Sequence, residues 1–226
     1  MNTRLRGTLC GIGAAVCYGT NPLGAINLYN DGISASATLF YRFALACLTL
    51  GIMMAVQRKS FAVTRRELGI LALLGVFMST SSTTLYFSFL FMDVGVASTL
   101  LFVYPVMVAV IMATMFKEKV TKTTILAITL ALAGIALLNR SGDGTALSLW
   151  GVTLVMLSSL TYAVYIVVVN KSPLRMSSVK LTFYVLFFGM FTILGYTLVL
   201  GEQIQWLTTP RQWAYALQLA WVPTVL

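Results

Sequence analysis

The chain has 226 residues, of which 59% are hydrophobic and only 9% are charged, and its formal net charge is +9. A soluble domain needs about 25% charged residues to cover its surface, so lipid must surround most of this chain. There are no His residues and only 6 acidic residues, which excludes most metal sites and acid–base catalytic sites. The sequence therefore predicts no metal and no cofactor, and it predicts that the protein is not an enzyme.

Apolar runs of bilayer width follow one another along the chain, separated by short charged loops. A helix needs about 20 mostly apolar residues to cross a hydrocarbon core of about 30 Å. The predicted spans, the last of them incomplete, are Gly7–Asn30, Gly32–Gln57, Leu68–Met92, Val94–Phe116, Thr123–Asn139, Ala146–Val169, Leu181–Leu200 and Gln212–Leu226. The predicted fold class is therefore all-α, a polytopic membrane helix bundle.

The loop charges predict the orientation of these spans, because short cytoplasmic loops are enriched in Lys and Arg. If the N-terminus is cytoplasmic, most of the 15 basic residues fall inside: Arg4, Arg6, Arg58, Lys59, Arg65, Arg66, Lys117, Lys119, Lys122, Lys171, Arg175 and Lys180. The positive charge thus reflects membrane topology and not nucleic-acid binding. A seven-helix receptor would need an external N-terminus, which this charge pattern contradicts. A cleaved signal peptide is also disfavoured, because the apolar run within residues 1–25 is too long for one.

The second half of the chain weakly repeats the first. Aligning Gly7 with Gly151 also aligns Tyr18 with Tyr162. An odd number of helices in each copy inverts the second copy, which predicts a five-plus-five inverted repeat. The predicted units are a first five-helix repeat, 1–139, and an incomplete second repeat, 146–226, with helices 6 and 7 and the start of helix 8. We expect a fragment truncated after about seven and a half helices of this architecture.

One charge, Arg42, lies well inside a predicted span. A charged side chain at the bilayer centre costs about 2.5–3.5 kcal/mol on insertion scales, so such residues usually face a cavity. Arg42 is therefore a candidate anchor for the carboxylate or phosphate of a solute. The alternative is a structural role, in which the guanidinium binds loop carbonyls or reaches the lipid headgroups.

Two prolines, Pro22 and Pro105, fall inside predicted spans. Each removes a backbone hydrogen bond and frees the carbonyl four residues earlier, at Tyr18 and Leu101. Transporters line binding sites with such broken helices, although a tolerated kink is the simpler alternative. The candidate solute-binding residues beside these prolines are Tyr18, Asn21 and Tyr104.

Further polar and aromatic residues lie at mid-depth in other spans. Ser82 and Tyr86 share one face of the third predicted helix within a run of hydroxyl side chains, and Tyr162 and Tyr165 lie in the sixth. All four are candidate solute-binding residues, and hydrogen bonding between helices is the alternative for the hydroxyl run. Small residues recur every four positions from Gly7 to Gly19, which predicts close helix packing there.

Several stretches of the chain have the pattern of a known family of membrane proteins: Ala14–Asn21, Tyr41–Phe43, Leu85–Phe89, Val96–Ser98, Pro105 and Lys117–Lys119. Together they resemble the EamA-type drug/metabolite transporters. The resemblance implies ten helices in two inverted halves, a small-molecule solute such as an amino acid, and location in the cell (inner) membrane. No buried acidic residue lies in the first span, which disfavours the proton-exchange mechanism of small multidrug exporters.

These observations predict a secondary transporter, an exporter or importer that moves small organic metabolites by alternating access. The expected partners are a small-molecule solute and membrane lipid, with no nucleic acid. A membrane scaffold or assembly subunit that does not transport is the alternative.

Overall fold

A computed structural model describes residues 3–118, 125–126, 129–130, 133 and 148–225. The fifth predicted span, 123–139, lies mostly outside the described residues. The helices are α1 Thr3–Gly19, α2 Asn21–Asn30, α3 Ala35–Val56, α4 Arg65–Ser88, α5 Val94–Leu101, α6 Tyr104–Met115, α7 Leu149–Lys171, α8 Ser178–Val199 and α9 Pro210–Ala220. A π-helical turn, Trp221–Val225, follows α9.

Six helical segments in the described part of the chain are long and apolar enough to cross a membrane. They are Gly7–Asn30, Ala35–Val56, Arg65–Ser88, Val94–Met115, Leu149–Lys171 and Ser178–Val199. Many large apolar side chains on them are exposed, including Leu23, Leu73 and Leu198. The prediction of an all-α, polytopic helical bundle is therefore confirmed.

Short polar side chains start most of these helices by accepting hydrogen bonds from the first-turn N–H groups. Ser34 caps α3 by accepting from the Ala37 N–H, and Asp93 caps α5 by accepting from the Val96 N–H. At α4 the cap is reciprocal, because Thr64 accepts from the Glu67 N–H while the Glu67 carboxylate accepts from the Thr64 N–H. The loop residues between the apolar runs thus fix where the helices begin.

The described chain divides into two compact units. Unit 1 comprises 1–63 and 177–226, and unit 2 comprises 64–176. In unit 1, α3 packs against α8, while α9 packs against α2 and α3. The buried apolar residues at its centre are Leu28, Ile33, Ala37, Tyr41, Leu207, Ala216 and Leu219.

In unit 2, α7 is the central helix, and α4, α5 and α6 all pack against it. Ser81 on α4 and Ser158 on α7 join two of these helices through reciprocal hydrogen bonds. The Ser81 hydroxyl donates to the Ser158 carbonyl oxygen at 2.9 Å, and the Ser158 hydroxyl donates to the Ser81 carbonyl oxygen at 2.7 Å. For Ser81, the prediction of hydrogen bonding between helices is confirmed.

The small residues along α1 differ from their prediction. A Cβ atom built on Gly7, Gly11 or Gly19 meets no described atom within 4 Å, and all three glycines are exposed. Within the described residues, no helix packs closely against these three glycines. The close approach occurs instead at Gly24 on α2, where Leu219 of α9 lies directly against the backbone.

Candidate functional site

The first predicted span is interrupted between α1 and α2. Thr20 separates the two helices, and Pro22 is the second residue of α2. The Thr20 hydroxyl donates to the Cys17 carbonyl oxygen at 2.7 Å, and the Gln218 side chain on α9 donates to the Thr20 carbonyl oxygen at 3.3 Å. A polar side chain from a neighbouring helix thus stabilises the interruption, as membrane helices require.

The fourth predicted span is interrupted in the same way in unit 2. α5 ends at Leu101 and α6 begins at Tyr104, so Pro105 is the second residue of α6. Proline has no N–H to donate to the Leu101 carbonyl, and the Ser159 hydroxyl on α7 donates to that oxygen at 3.2 Å instead. Each interruption therefore coincides with a polar contact to another helix of its own unit.

Three tyrosines meet beside the interruption in unit 2. The ring centroids of Tyr104 and Tyr162 lie 4.9 Å apart with planes at 83°, and those of Tyr162 and Tyr165 lie 5.8 Å apart with planes at 13°. All three side chains are partly buried. We call them the tyrosine cluster; they form a corner of aromatic faces whose negative potential attracts cations.

Arg42 is buried in unit 1, with 3% of its surface exposed. Its Nε donates to the Thr224 hydroxyl at 2.9 Å, and that hydroxyl donates to the Leu219 carbonyl oxygen at 2.9 Å. The guanidinium carbon also lies 5.9 Å from the centre of the Phe43 ring. Arg42 therefore joins α3 to the π-helical turn.

Among the residues that the structure describes, two buried hydroxyls have no hydrogen-bond partner, Thr38 in unit 1 and Thr83 in unit 2. Thr38 has 1% of its surface exposed and lies one helical turn before Arg42, on the same face of α3. An unsatisfied buried hydroxyl costs about 1–3 kcal/mol, so such groups call for an explanation.

The other predicted residues are divided between the units. Tyr18 and Asn21 lie in unit 1 at the α1–α2 interruption, where Asn21 is buried. Ser82 and Tyr86 lie in unit 2 on α4 and are buried, and the Tyr86 ring packs 5.4 Å from that of Phe89. The structure thus brings the tyrosine cluster together within unit 2.

Sequence reasoning did not identify three of these groups. Thr224 and Gln218 lie far along the chain from the residues they bind, so no local pattern pointed to them. Thr38 had a usable signal, since a hydroxyl four residues before a membrane-embedded Arg lies on the same helical face. Among the described residues, no group of three His, Cys, Asp or Glu side chains could hold a metal ion.

Comparison with known proteins gives this arrangement a context. The model of the EamA-like transporter family matches residues 5–140. The chain is also similar to YetK of Bacillus subtilis (strain 168), named an uncharacterized transporter, with 24% identity over 194 residues. That match covers 82% of this chain and 58% of the relative, so the chain spans less than two thirds of the relative's length. With its membrane-spanning helices and this match over more than half its length, the chain belongs to the EamA-like transporter family.

Proposed function

We propose that the protein is a secondary transporter of small zwitterionic metabolites, such as amino acids, that works by alternating access. Family membership supports transport of a small-molecule solute in general. The tyrosine cluster is the observation that favours this solute class.

The spans offer a cationic group few negative partners. Of the six acidic residues, Glu67 alone lies within a described span, and its carboxylate caps the first turn of α4. An ammonium group inside the membrane therefore has to be stabilised by aromatic faces, hydroxyls or carbonyls. A cation over a Tyr face gains about 0.5–1 kcal/mol when exposed and about 2 kcal/mol or more when desolvated. The tyrosine cluster supplies such faces beside an interrupted helix.

Each unit also carries candidates of its own for the polar groups of a small solute. In unit 1, Arg42 would bind a carboxylate, and Tyr18 and Asn21 at the α1–α2 interruption would contribute hydrogen bonds. In unit 2, Ser82 and Tyr86 on α4 would contribute hydrogen bonds alongside the tyrosine cluster. Arginine suits the first role because its planar fork matches a carboxylate in geometry.

The pairing of helices inside each unit supports the inverted repeat of 1–139 and 146–226. If the second half repeats the first, α7 corresponds to the α1–α2 span, α8 to α3, and α9 to α4. The α4–α7 pair of unit 2 then corresponds to the α9–α2 pair of unit 1. The α3–α8 pair corresponds to itself, because α3 and α8 are each other's counterparts. Such symmetry is typical of transporters that alternate between two open states.

Two contacts between basic residues and loops support the predicted assignment of these loops to one side of the membrane. In unit 2, the Lys171 ammonium at the end of α7 lies 2.7 Å from the Glu118 carboxylate just after α6. In unit 1, the Lys180 ammonium at the start of α8 donates to the Ala62 carbonyl oxygen at 2.6 Å. Each contact joins two loops that the positive-inside pattern assigns to one side of the membrane.

Removing one ring of the tyrosine cluster tests the proposed function. In proteoliposomes with labelled amino acids, we expect Tyr162→Ala to raise the KM of uptake about 5- to 30-fold, because about 1–2 kcal/mol of cation–π binding is lost. Tyr162→Phe keeps the aromatic face, so it should retain most of the affinity. Zwitterionic solutes should be taken up in preference to monocarboxylates that lack an ammonium group.

The matched control is Tyr196→Ala, which removes a tyrosine that is 37% exposed on α8. It should leave the KM within about twofold, since exposed substitutions away from special features change little. The proposal fails if Tyr162→Ala and Tyr196→Ala have the same KM, or if no amino acid competes with any transported solute.

A further inference from the structure

An apolar groove of 520 Å³ runs between α3 and α8 in unit 1. Its walls are Cys47, Gly51 and Ala55 from α3 and Phe183, Phe187 and Met190 from α8. Small residues on one wall and large ones on the other leave a slot between the two helices. Both helices have the length and composition of membrane spans, so the groove lies at the depth of the hydrocarbon core.

The groove is open on one side. Leu48 and Ile52, which also line it, expose 61% and 57% of their surfaces. In a bilayer this open side meets lipid tails and not water. An apolar slot at this depth therefore accommodates a hydrocarbon chain without burying any polar group.

Cations cluster at the end of the groove where α3 ends and α8 begins. Arg58 and Lys59 follow the C-cap residue of α3, Gln57, and are exposed. Lys180, in the first turn of α8, donates to the Ala62 carbonyl oxygen. Ala62 is four positions after Arg58, so their Cα atoms lie within about 14 Å of each other. An ammonium group has three N–H donors, so this contact leaves Lys180 able to bind an anion as well.

The backbone places Arg58 directly beyond the groove wall. Its N–H donates to the carbonyl oxygen of Ala55, a wall residue, and the Lys59 N–H donates to the Met54 carbonyl oxygen. Arg58 has a φ of 50°, the left-handed conformation in which helices usually end on Gly or Asn. The chain thus holds a guanidinium at a position where glycine is the ordinary choice.

We propose that the groove and these cations form a binding site for one anionic phospholipid. The acyl chain lies in the slot between α3 and α8, and Arg58, Lys59 and Lys180 bind the phosphate at the membrane surface. Basic pockets between membrane helices recognise anionic headgroups in this way, through charges at the surface and an apolar path beneath them. The site is a lipid site and does not rest on the proposed transport function.

Native mass spectrometry of the 226-residue chain in a mild non-ionic detergent tests this site. The probes are dioleoyl phosphatidylglycerol and dioleoyl phosphatidylcholine, which share acyl chains and differ in net charge. We expect one phosphatidylglycerol to be retained at least tenfold more tightly than phosphatidylcholine. Arg58→Gln with Lys59→Gln should weaken phosphatidylglycerol binding about 10- to 30-fold, about fivefold for each cation, and should weaken phosphatidylcholine binding much less, because the choline ammonium offsets the phosphate charge.

The matched control pair is Arg65→Gln with Arg66→Gln, which removes two adjacent exposed cations from the first turn of α4. It should change phosphatidylglycerol binding less than twofold. Ala55→Trp should fill the groove and reduce retention of both lipids, and folding should survive because Ala55 is exposed.

Equal retention of the two lipids by the unaltered chain would overturn the proposal, and so would equal losses in the two double variants. A chain dimer that Ala55→Trp dissociates would also overturn it, because a second copy would then occupy the groove.

Discussion

Arg42→Ala is expected to abolish solute flux while the chain remains inserted and folded. A hydrogen bond between charged groups contributes about 1.5–3 kcal/mol. The loss of one or two such bonds between Arg42 and a solute carboxylate therefore lowers the transport rate about 10- to 1,000-fold or more. Removing a charge from a span makes insertion easier, and Thr224 keeps its own bond to the Leu219 carbonyl oxygen. Uptake in proteoliposomes, normalised to inserted protein, measures the effect.

Arg42→Lys should fail as well. Lysine keeps the positive charge, but it lacks the Nε that donates to Thr224 and the planar fork that matches a carboxylate. Normal flux in both variants would remove Arg42 from the transport mechanism.

Thr224→Val separates the two roles of Arg42. It removes the hydroxyl that accepts from Arg42 Nε while the guanidinium stays in place. If Arg42 acts by binding solute, Thr224→Val keeps most of the flux and the KM changes little. If Arg42 acts by holding the π-helical turn, Thr224→Val loses flux to the same extent as Arg42→Ala.

Gly24→Ala is expected to destabilise the packing of α2 against α9. A Cβ atom at this position lies 2.6 Å from Leu219 Cγ and 2.8 Å from Leu219 Cδ2, closer than real Cβ atoms approach other atoms. Leu219 is fully buried in the centre of unit 1 and has no room to withdraw. Overpacking of this kind costs about 1–3 kcal/mol, or about 2–12 °C in the unfolding temperature of a chain of this size.

Thermal unfolding in detergent checks this effect, and Gly11→Ala is the matched control. Gly11 lies on α1 with open space around it, so an added methyl group should leave the unfolding temperature unchanged or raise it slightly. Adding Leu219→Ala to Gly24→Ala should cost less than the two single changes together, because the smaller side chain vacates the space. An unchanged unfolding temperature in Gly24→Ala would show that the two helices separate without cost.

The spans and their interruptions were accessible from the sequence for physical reasons. Lipid tails offer no hydrogen-bond partners to backbone N–H and C=O groups, so apolar runs of bilayer width in this chain are expected to be helices. Proline lacks the N–H that continues a helix, which made Pro22 and Pro105 the places to expect irregular backbone. The bounds of the apolar runs also placed Arg42 and the tyrosines inside the spans.

The partners of these groups were not accessible, because they depend on which helices pack together. Nothing near Arg42 in the sequence indicates Thr224, and nothing near Thr20 indicates Gln218, since both partners come from the last described helix and turn. The glycines show the same limit. Gly7, Gly11 and Gly19 have the regular spacing of a packing face, yet it is at Gly24, outside this pattern, that Leu219 of α9 lies directly against the backbone. Spacing predicts a face, and only the fold determines what covers it.

Counterflow measures the central claim, that a solute crosses by alternating access through this chain. Proteoliposomes loaded with an unlabelled amino acid are diluted into a trace of the same labelled amino acid, with no other gradient imposed. A carrier that exchanges its site between the two sides produces a transient accumulation of label above the outside concentration, which Arg42→Ala abolishes. Correctly inserted protein that gives no accumulation with any solute that it binds would contradict the account.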